Sequence, residues 1–327
     1  MMSVHSFWEP YLELQTELES VTQVMAKQIR LRNKEIEAAL LDSIYAGGKM
    51  IRPAYTLLFS KFGNTQHVDR TLALAAAVEL LHTATLIHDD VIDDSPLRRG
   101  TPSLQSKYGK DVAVYAGDYL FTVCFRLLST YADTQEHIEI NTRGMERILM
   151  GELDQMHLRY NKNMSIRGYL TQISGKTAQL FALACYSGAL NGGQTEFFSR
   201  NGYYIGSHIG MAFQITDDIL DYSQTLNVFG KPVLEDVRQG IYTAPLIFAL
   251  QENNKRLREL VDKEAHMTGE DAKEVQQLVI ELDGLEKAKQ LARKYTQKAM
   301  KRIEQLPEQQ EKEHIKKITL SLLDRHV

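Results

Sequence analysis

Residues 72–94 read Leu72-Ala-Leu-Ala-Ala-Ala-Val-Glu-Leu-Leu-His-Thr-Ala-Thr-Leu-Ile-His-Asp-Asp-Val-Ile-Asp-Asp94, and this stretch decides the fold. Its apolar residues recur at helical intervals but cover most of the circumference, which predicts a helix buried nearly all round. The run Thr177–Leu190, TAQLFALACYSGAL, has the same character. Trp8–Leu31 and Gly284–Ile303 are instead amphipathic and charged, the pattern of outer helices. Only 7 Pro and 20 Gly occur in 327 residues, so long stretches lack breakers. No alternating strand pattern with hairpin turns is evident. Breaks fall at Gly47-Gly48, Gly63-Asn64, Arg99-Gly100-Thr101-Pro102, Asn161–Asn163, Asn191-Gly192-Gly193 and Gly230-Lys231-Pro232. The class expected is all-α. No linker of domain-boundary character appears, so a single domain over residues 1–327 is expected although the length alone would suggest two.

Hydrophobic residues make up 43% and charged residues 24%, values that exclude disorder. A formal net charge of −4 argues against a nucleic-acid binder. Two cysteines, Cys124 and Cys185, cannot build a disulfide framework or a zinc cluster, and both read as core thiols of a reducing compartment. The opening MMSVHSFWEPYLELQTELES is no signal peptide, and no apolar run approaches 18 residues without a charge. A cytoplasmic protein without a membrane anchor is expected.

The strongest chemical signal is a near-repeat. Residues 86–94 read Leu-Ile-His-Asp-Asp-Val-Ile-Asp-Asp, and residues 214–222 read Gln-Ile-Thr-Asp-Asp-Ile-Leu-Asp-Tyr. On a helix, Asp89 and Asp93 stack one turn apart, with Asp90 about 100° round. Asp217, Asp218 and Asp221 repeat the pattern. Three carboxylates amid apolar residues repel one another and lose hydration unless they protonate or meet cations. No Arg or Lys lies inside either motif, so a hard divalent ion is the better partner. Mg²⁺ takes one or two carboxylates, keeps waters and bridges to substrate phosphates. Two such sets in one cavity suit several Mg²⁺ ions around a diphosphate. Solvated acidic helix faces are the plain alternative, weakened by the second copy. The pattern argues against a calcium loop, because neither copy has the glycine and the closing glutamate of an EF-hand.

Basic residues bracket these motifs in order. Lys49 and Arg52 are three apart after the Gly47-Gly48 pair. Arg98 and Arg99 follow the first acidic motif, Lys176 opens an apolar run, and Lys231 follows the second motif. Arginine suits bidentate phosphate recognition. His82 lies two turns before Asp89 on the same face. A lone surface cation is usually just solvated, and a lone histidine there is more often a core residue; their order along the chain gives them weight.

The segments GGKMIRP (47–53), HTATLIHDDVIDDSPLRRG (82–100), GKTAQLF (175–181) and QITDDILDYSQTLNVFGKP (214–232) together resemble the trans-isoprenyl (polyprenyl) diphosphate synthases, in family order and over most of the chain. The resemblance implies antiparallel helices around a central cavity (an isoprenoid synthase type fold) and a dimer. It implies that Asp89, Asp90, Asp93, Asp217, Asp218 and Asp221 bind two or three Mg²⁺ ions that grip an allylic diphosphate, held also by Arg98, Lys176 and Lys231. Lys49, Arg52, His82 and Arg99 would hold the diphosphate of isopentenyl diphosphate. Thr177 and Gln214 would lie near the reacting carbons. Metal and cations would stabilise the leaving pyrophosphate, the isopentenyl double bond would attack the allylic cation, and pyrophosphate would take the proton. Two departures from the family pattern stand out: Ile241 in Gly240-Ile-Tyr-Thr-Ala-Pro245 replaces a lysine, and Leu234 replaces a glycine.

In this family, residues one turn before the first acidic motif floor the product tunnel. Here they are Ala84 and Thr85, with Leu81 and Val78 deeper, and none is aromatic. One helical turn, about 5.4 Å, is close to one isoprene unit, so a product of roughly six to eight units is expected. The chain is most similar to the catalytic components of bacterial heptaprenyl diphosphate synthases, which serve the menaquinone side chain. Some such enzymes are homodimers, and others pair a catalytic chain with a non-catalytic subunit. The apolar face of Trp8–Leu31 is either a partner surface or a cap on the chain's own core. A shorter-chain geranylgeranyl synthase, a terpene cyclase, a regulatory subunit and a calcium-binding helical scaffold are the rivals. The second acidic motif and the Gly-Gly-Lys-x-x-Arg-Pro segment oppose the cyclase. Both acidic motifs oppose the regulatory subunit, and the basic residues oppose the scaffold.

Overall fold

A computed structural model describes residues 5–46, 48–63, 67–131, 135–223 and 234–323. The described chain is helical apart from one short hairpin. It divides into two compact units, Met1–Thr142 with Leu183–Tyr203, and Arg143–Ala182 with Tyr204–Val327.

The first unit begins with α1 (Leu12–Gln28), α2 (Lys34–Tyr45), α3 (Ile51–Ser60), α4 (Val68–Ile92), α5 (Leu104–Tyr108) and α6 (Lys110–Tyr131). Every residue of α4 from Ala73 to Leu81 is buried, as its apolar circumference requires. Helices α1, α3 and α6 pack against it. On α1, one stripe (Leu14, Leu18, Val21 and Met25) is buried, and Trp8 just before it is fully enclosed. This amino-terminal apolar face therefore covers the unit's own core. The side chain of Asn33 caps α2 by accepting from the amides of Glu35 and Ile36.

Between α4 and α5 the sequence pattern predicts no strand, yet Leu97–Arg98 pairs antiparallel with Thr101–Pro102. Strands of two residues are too short to show alternation. What makes the turn is the left-handed backbone of Arg99 (φ 52°) and Gly100 (φ 79°).

Helices α4 and α6 are long and apolar enough to cross a membrane by length and composition, although neither contains an uncharged run of 18 residues. Of their most apolar windows, 61% and 44% respectively are buried within the protein. A core helix and a membrane helix satisfy the same apolarity requirement, and two charges in 18 residues do not separate them.

The chain continues through α7 (Gln135–His157), α8 (Ile166–Ile173), α9 (Gln179–Asn191), α10 (Glu196–Ser223), α11 (Glu235–Arg238), α12 (Ala244–Leu250), α13 (Lys255–Val261), α14 (Gly269–Glu281), α15 (Gly284–Ile303) and α16 (Gln310–Leu323). In the second unit, α12 packs on α15, α14 and α8 around a core that includes Tyr169, Ile215, Ile219, Leu246 and Val275. The amphipathic α15 buries Ala288, Ala292, Ala299 and Ile303, as its pattern predicts. Thr268 and Asp271 form a capping box on α14. Both cysteines are buried free thiols, and burial pushes Cys124 up to about 12, well away from thiolate reactivity.

Candidate active site

The candidate residues of the first unit gather on α3, α4 and the hairpin. Lys49 is half-buried in the irregular segment before α3, where Met50 has a left-handed backbone (φ 53°), and Arg52 lies in the first turn of α3. Gly48 has a specific task. A Cβ there would lie 2.7 Å from Nη2 of Arg99, so a larger residue would make the Arg99 guanidinium shift from its place beside this segment.

Asp89 is half-buried, Asp90 buried and Asp93 exposed at the end of α4. Arg98 Nε donates to Asp90 Oδ1 at 2.8 Å, and its Nη2 contacts the same oxygen. The buried carboxylate is thus answered by a cation eight residues on. His82, half-buried on α4, is held well below its usual pKa by burial and by the charges of Arg52, Arg99 and Arg98. It is a neutral imidazole at pH 7, suited to hydrogen bonding rather than to adding charge. Thr85 donates its hydroxyl to the His82 carbonyl at 2.8 Å. Ala84, Leu81 and Val78 are buried along α4.

Glu79 is a functional candidate that the sequence motifs do not include. It is 6% exposed, and burial pushes its carboxyl pKa up while Arg52 and Arg99 pull it down. The positive charges of Arg52 and Arg99 favour the ionised form of this buried acid, against the effect of its burial. Its signal in the sequence was a single charge in an apolar run, three residues before His82 on the same helix face.

In the second unit, Lys176 and Thr177 lie in a wide π-type turn, Ser174–Ala178, between α8 and α9. Such turns re-aim side chains that a regular helix would place elsewhere. Lys176 Nζ contacts Glu152 of α7 at 2.7 Å. Gly151 makes this possible, since a Cβ there would sit 2.4 Å from the Lys176 amide nitrogen. Thr177 donates to Gln214 Oε1 at 2.6 Å, and Gln214 Nε2 donates to Asp218 Oδ1 at 2.9 Å. Tyr169 donates to the other Asp218 oxygen at 2.5 Å. Asp218 is 4% exposed, and burial raises its pKa well above the carboxylate range against the lowering effect of those two donors. Asp217 is half-buried and Asp221 exposed. Tyr169 is a second residue missed in the sequence, where a tyrosine in an apolar helix reads as packing. Lys231 lies outside the described residues.

Among the described residues, no three His, Cys, Asp or Glu side chains close into a ready metal cage. The donor set nevertheless suits Mg²⁺. Hard carboxylate oxygens stand one turn apart on each motif, and Mg²⁺ completes its octahedron with water and phosphate oxygens. At the altered positions, Leu234 is buried with left-handed φ 53°, a conformation that glycine adopts without steric cost. Ile241 donates its amide to the Asp236 carbonyl at 2.8 Å.

An acidic motif on a helix of each unit, with guanidinium groups clustered in the first, suits an enzyme that handles diphosphates with metal, and comparison with known proteins gives the class. The profile described as Polyprenyl synthetase matches residues 33–282. The chain is 34% identical over 300 residues to "Heptaprenyl diphosphate synthase component 2" of Geobacillus stearothermophilus, covering 91% of this chain and 92% of that one. Among solved structures, a geranylgeranyl pyrophosphate synthase from Lactobacillus brevis superposes with a TM-score of 0.94 at 42% identity, covering 98% and 99% of the two chains. A polyprenyl synthase from Caulobacter crescentus, complexed with calcium and isoprenyl diphosphate, gives 0.87 at 32% identity and covers 95% of each chain. The chain belongs to the polyprenyl synthetase family and is a prenyl diphosphate synthase, an enzyme of the transferase class with the isoprenoid synthase fold.

Proposed function

We propose that this chain elongates an allylic diphosphate such as farnesyl diphosphate with isopentenyl diphosphate and makes heptaprenyl diphosphate for the menaquinone side chain. The observation that carries the length is the buried, non-aromatic face of α4 before Asp89, formed by Ala84, Leu81 and Val78. About 30 Å of α4 precede Asp89, close to six isoprene lengths at one unit per turn. The similarity to the heptaprenyl synthase component supports the same length.

In this reading, Asp89, Asp90, Asp93, Asp217, Asp218 and Asp221 hold two or three Mg²⁺ ions, which supply the charge that weakens the bond to the leaving diphosphate. Arg98, Lys176 and Lys231 bind that diphosphate, with Arg98 turning from Asp90 to the anion. Lys49, Arg52, Arg99 and neutral His82 bind isopentenyl diphosphate. Thr177 and Gln214 set the electrostatics beside the reacting carbons, and the apolar wall of α4 keeps water from the cation. The chain works as a dimer, with itself or with a non-catalytic subunit, in the cytoplasm, and gives up its product at the membrane edge.

Incubating the purified chain with farnesyl diphosphate, labelled isopentenyl diphosphate and Mg²⁺ gives the product length directly. Products of 35 carbons are expected, and Ala84→Phe should shorten them. An unchanged length in Ala84→Phe removes α4 as the ruler. The Lactobacillus brevis likeness favours a second reading, a 20-carbon product, and the same assay separates the two.

A further inference from the structure

Lys49 is held from behind by the short helical turn Ser6–Trp8. The Trp8 indole Nε1 donates to the Lys49 carbonyl at 2.6 Å. That carbonyl belongs to an irregular segment, between Gly48 and left-handed Met50, where no helix supplies a donor. The Lys49 ammonium in turn lies over the Phe7 ring, 5.2 Å from its centroid, within cation–π range. The two aromatic rings brace each other edge to face at 4.8 Å, and Tyr11 closes on Trp8 at 6.1 Å. Trp8 is fully enclosed while Phe7 is half-buried. One residue therefore anchors the backbone and its neighbour carries the charge.

We propose that Phe7 and Trp8 form an aromatic clip that positions Lys49 to receive the diphosphate of isopentenyl diphosphate. The inference rests on the reading that Lys49 binds this diphosphate. An ammonium on a four-carbon stem has many rotamers, and a diphosphate must freeze one of them. Tying the Lys49 carbonyl to Trp8 fixes the backbone, and resting the ammonium on Phe7 favours one side-chain orientation beforehand. The Arg99 guanidinium packs against Gly48 of the same segment. Phe7 and Trp8 act through Lys49 and are positioning residues, not catalytic ones.

The test is titration calorimetry of the full chain with isopentenyl diphosphate and, separately, farnesyl diphosphate, both with Mg²⁺. Phe7→Leu is expected to weaken isopentenyl diphosphate about fivefold, in keeping with a partly exposed cation–π contact. The farnesyl diphosphate Kd should stay within about twofold, and Phe7→Tyr should restore the first value. Trp8→Phe should act in the same direction, and Phe7→Leu serves where Trp8→Phe fails to fold. In the double variant with Lys49→Ala, Phe7→Leu should cost nothing further, because the two act as one unit. Equal weakening of both ligands, or additivity with Lys49→Ala, overturns the clip and leaves a fold-supporting role. An unaltered chain that binds neither diphosphate overturns the functional reading and the clip with it. An unaltered chain that binds both, with Phe7→Leu unchanged, overturns the clip alone.

Discussion

The two acidic motifs are near-copies in sequence, and the fold treats them differently. In the first unit the buried central acid, Asp90, meets the guanidinium of Arg98. In the second unit its counterpart, Asp218, meets two neutral donors, Tyr169 and Gln214, and burial pushes its carboxyl toward the protonated form. Burying a carboxylate demands compensation, and a cation or a pair of hydrogen bonds can supply it. The first acid is paired with a cation, whereas burial beside neutral donors raises the pKa of the second. Two identical local patterns therefore give one motif poised by ion pairing and one poised by hydrogen bonding.

The largest expected effect tests whether both motifs do the same chemistry. Asp89→Ala and Asp217→Ala should each lower kcat by on the order of 10³-fold, the scale of losing one electrostatic stabiliser of a leaving group. Steady-state rates at saturating Mg²⁺ check this. Full activity in either variant would show that the near-repeat is not a functional pair.

Stability should separate the two compensations next. Arg98→Ala strands a buried carboxylate and should cost about 2 kcal/mol, below the usual range for a broken buried pair because Arg98 is 39% exposed. Tyr169→Phe removes one donor from an acid that retains Gln214 and can protonate, and about 1 kcal/mol is expected. Urea unfolding measures both. A larger loss in Tyr169→Phe would reverse the comparison.

The smallest effect is a pH dependence of opposite sign in the two units. The folded pKa of Asp218 is raised, so the folded state holds a proton that the unfolded chain gives up. Stability from this group is present at low pH and is lost as pH rises above the unfolded carboxylate value of 3.8. The folded pKa of His82 is lowered, so the unfolded chain takes up a proton that the folded state refuses. Its contribution is present above pH 6.5 and is lost as pH falls below that value. Asp218→Asn should remove the first slope and His82→Gln the second in unfolding experiments between pH 4 and 7.5. Unchanged slopes in both variants would break the assignment.

Much of this was legible in the chain. The Ala-rich run of α4 reads as a helix buried nearly all round, and the acidic motifs lie on α4 and α10, with Asp93 as the C-cap of α4. The hairpin at Leu97–Pro102 escaped notice because two-residue strands leave no periodic trace. Glu79 and Tyr169 escaped because a lone polar residue in a core helix gives no hint of its partner. The borders of the two compact units fall within helical stretches and not at linkers.

The sequence by itself determined the helical class, the carboxylate pairs one turn apart and the family, because these depend on spacing along one chain. Tertiary structure alone decided which group answers each buried acid, that Lys49 rests on Phe7, and that His82 is neutral among three arginines. Those outcomes depend on residues far apart in sequence meeting in a low-dielectric interior, where neighbours and not spacing set the charge.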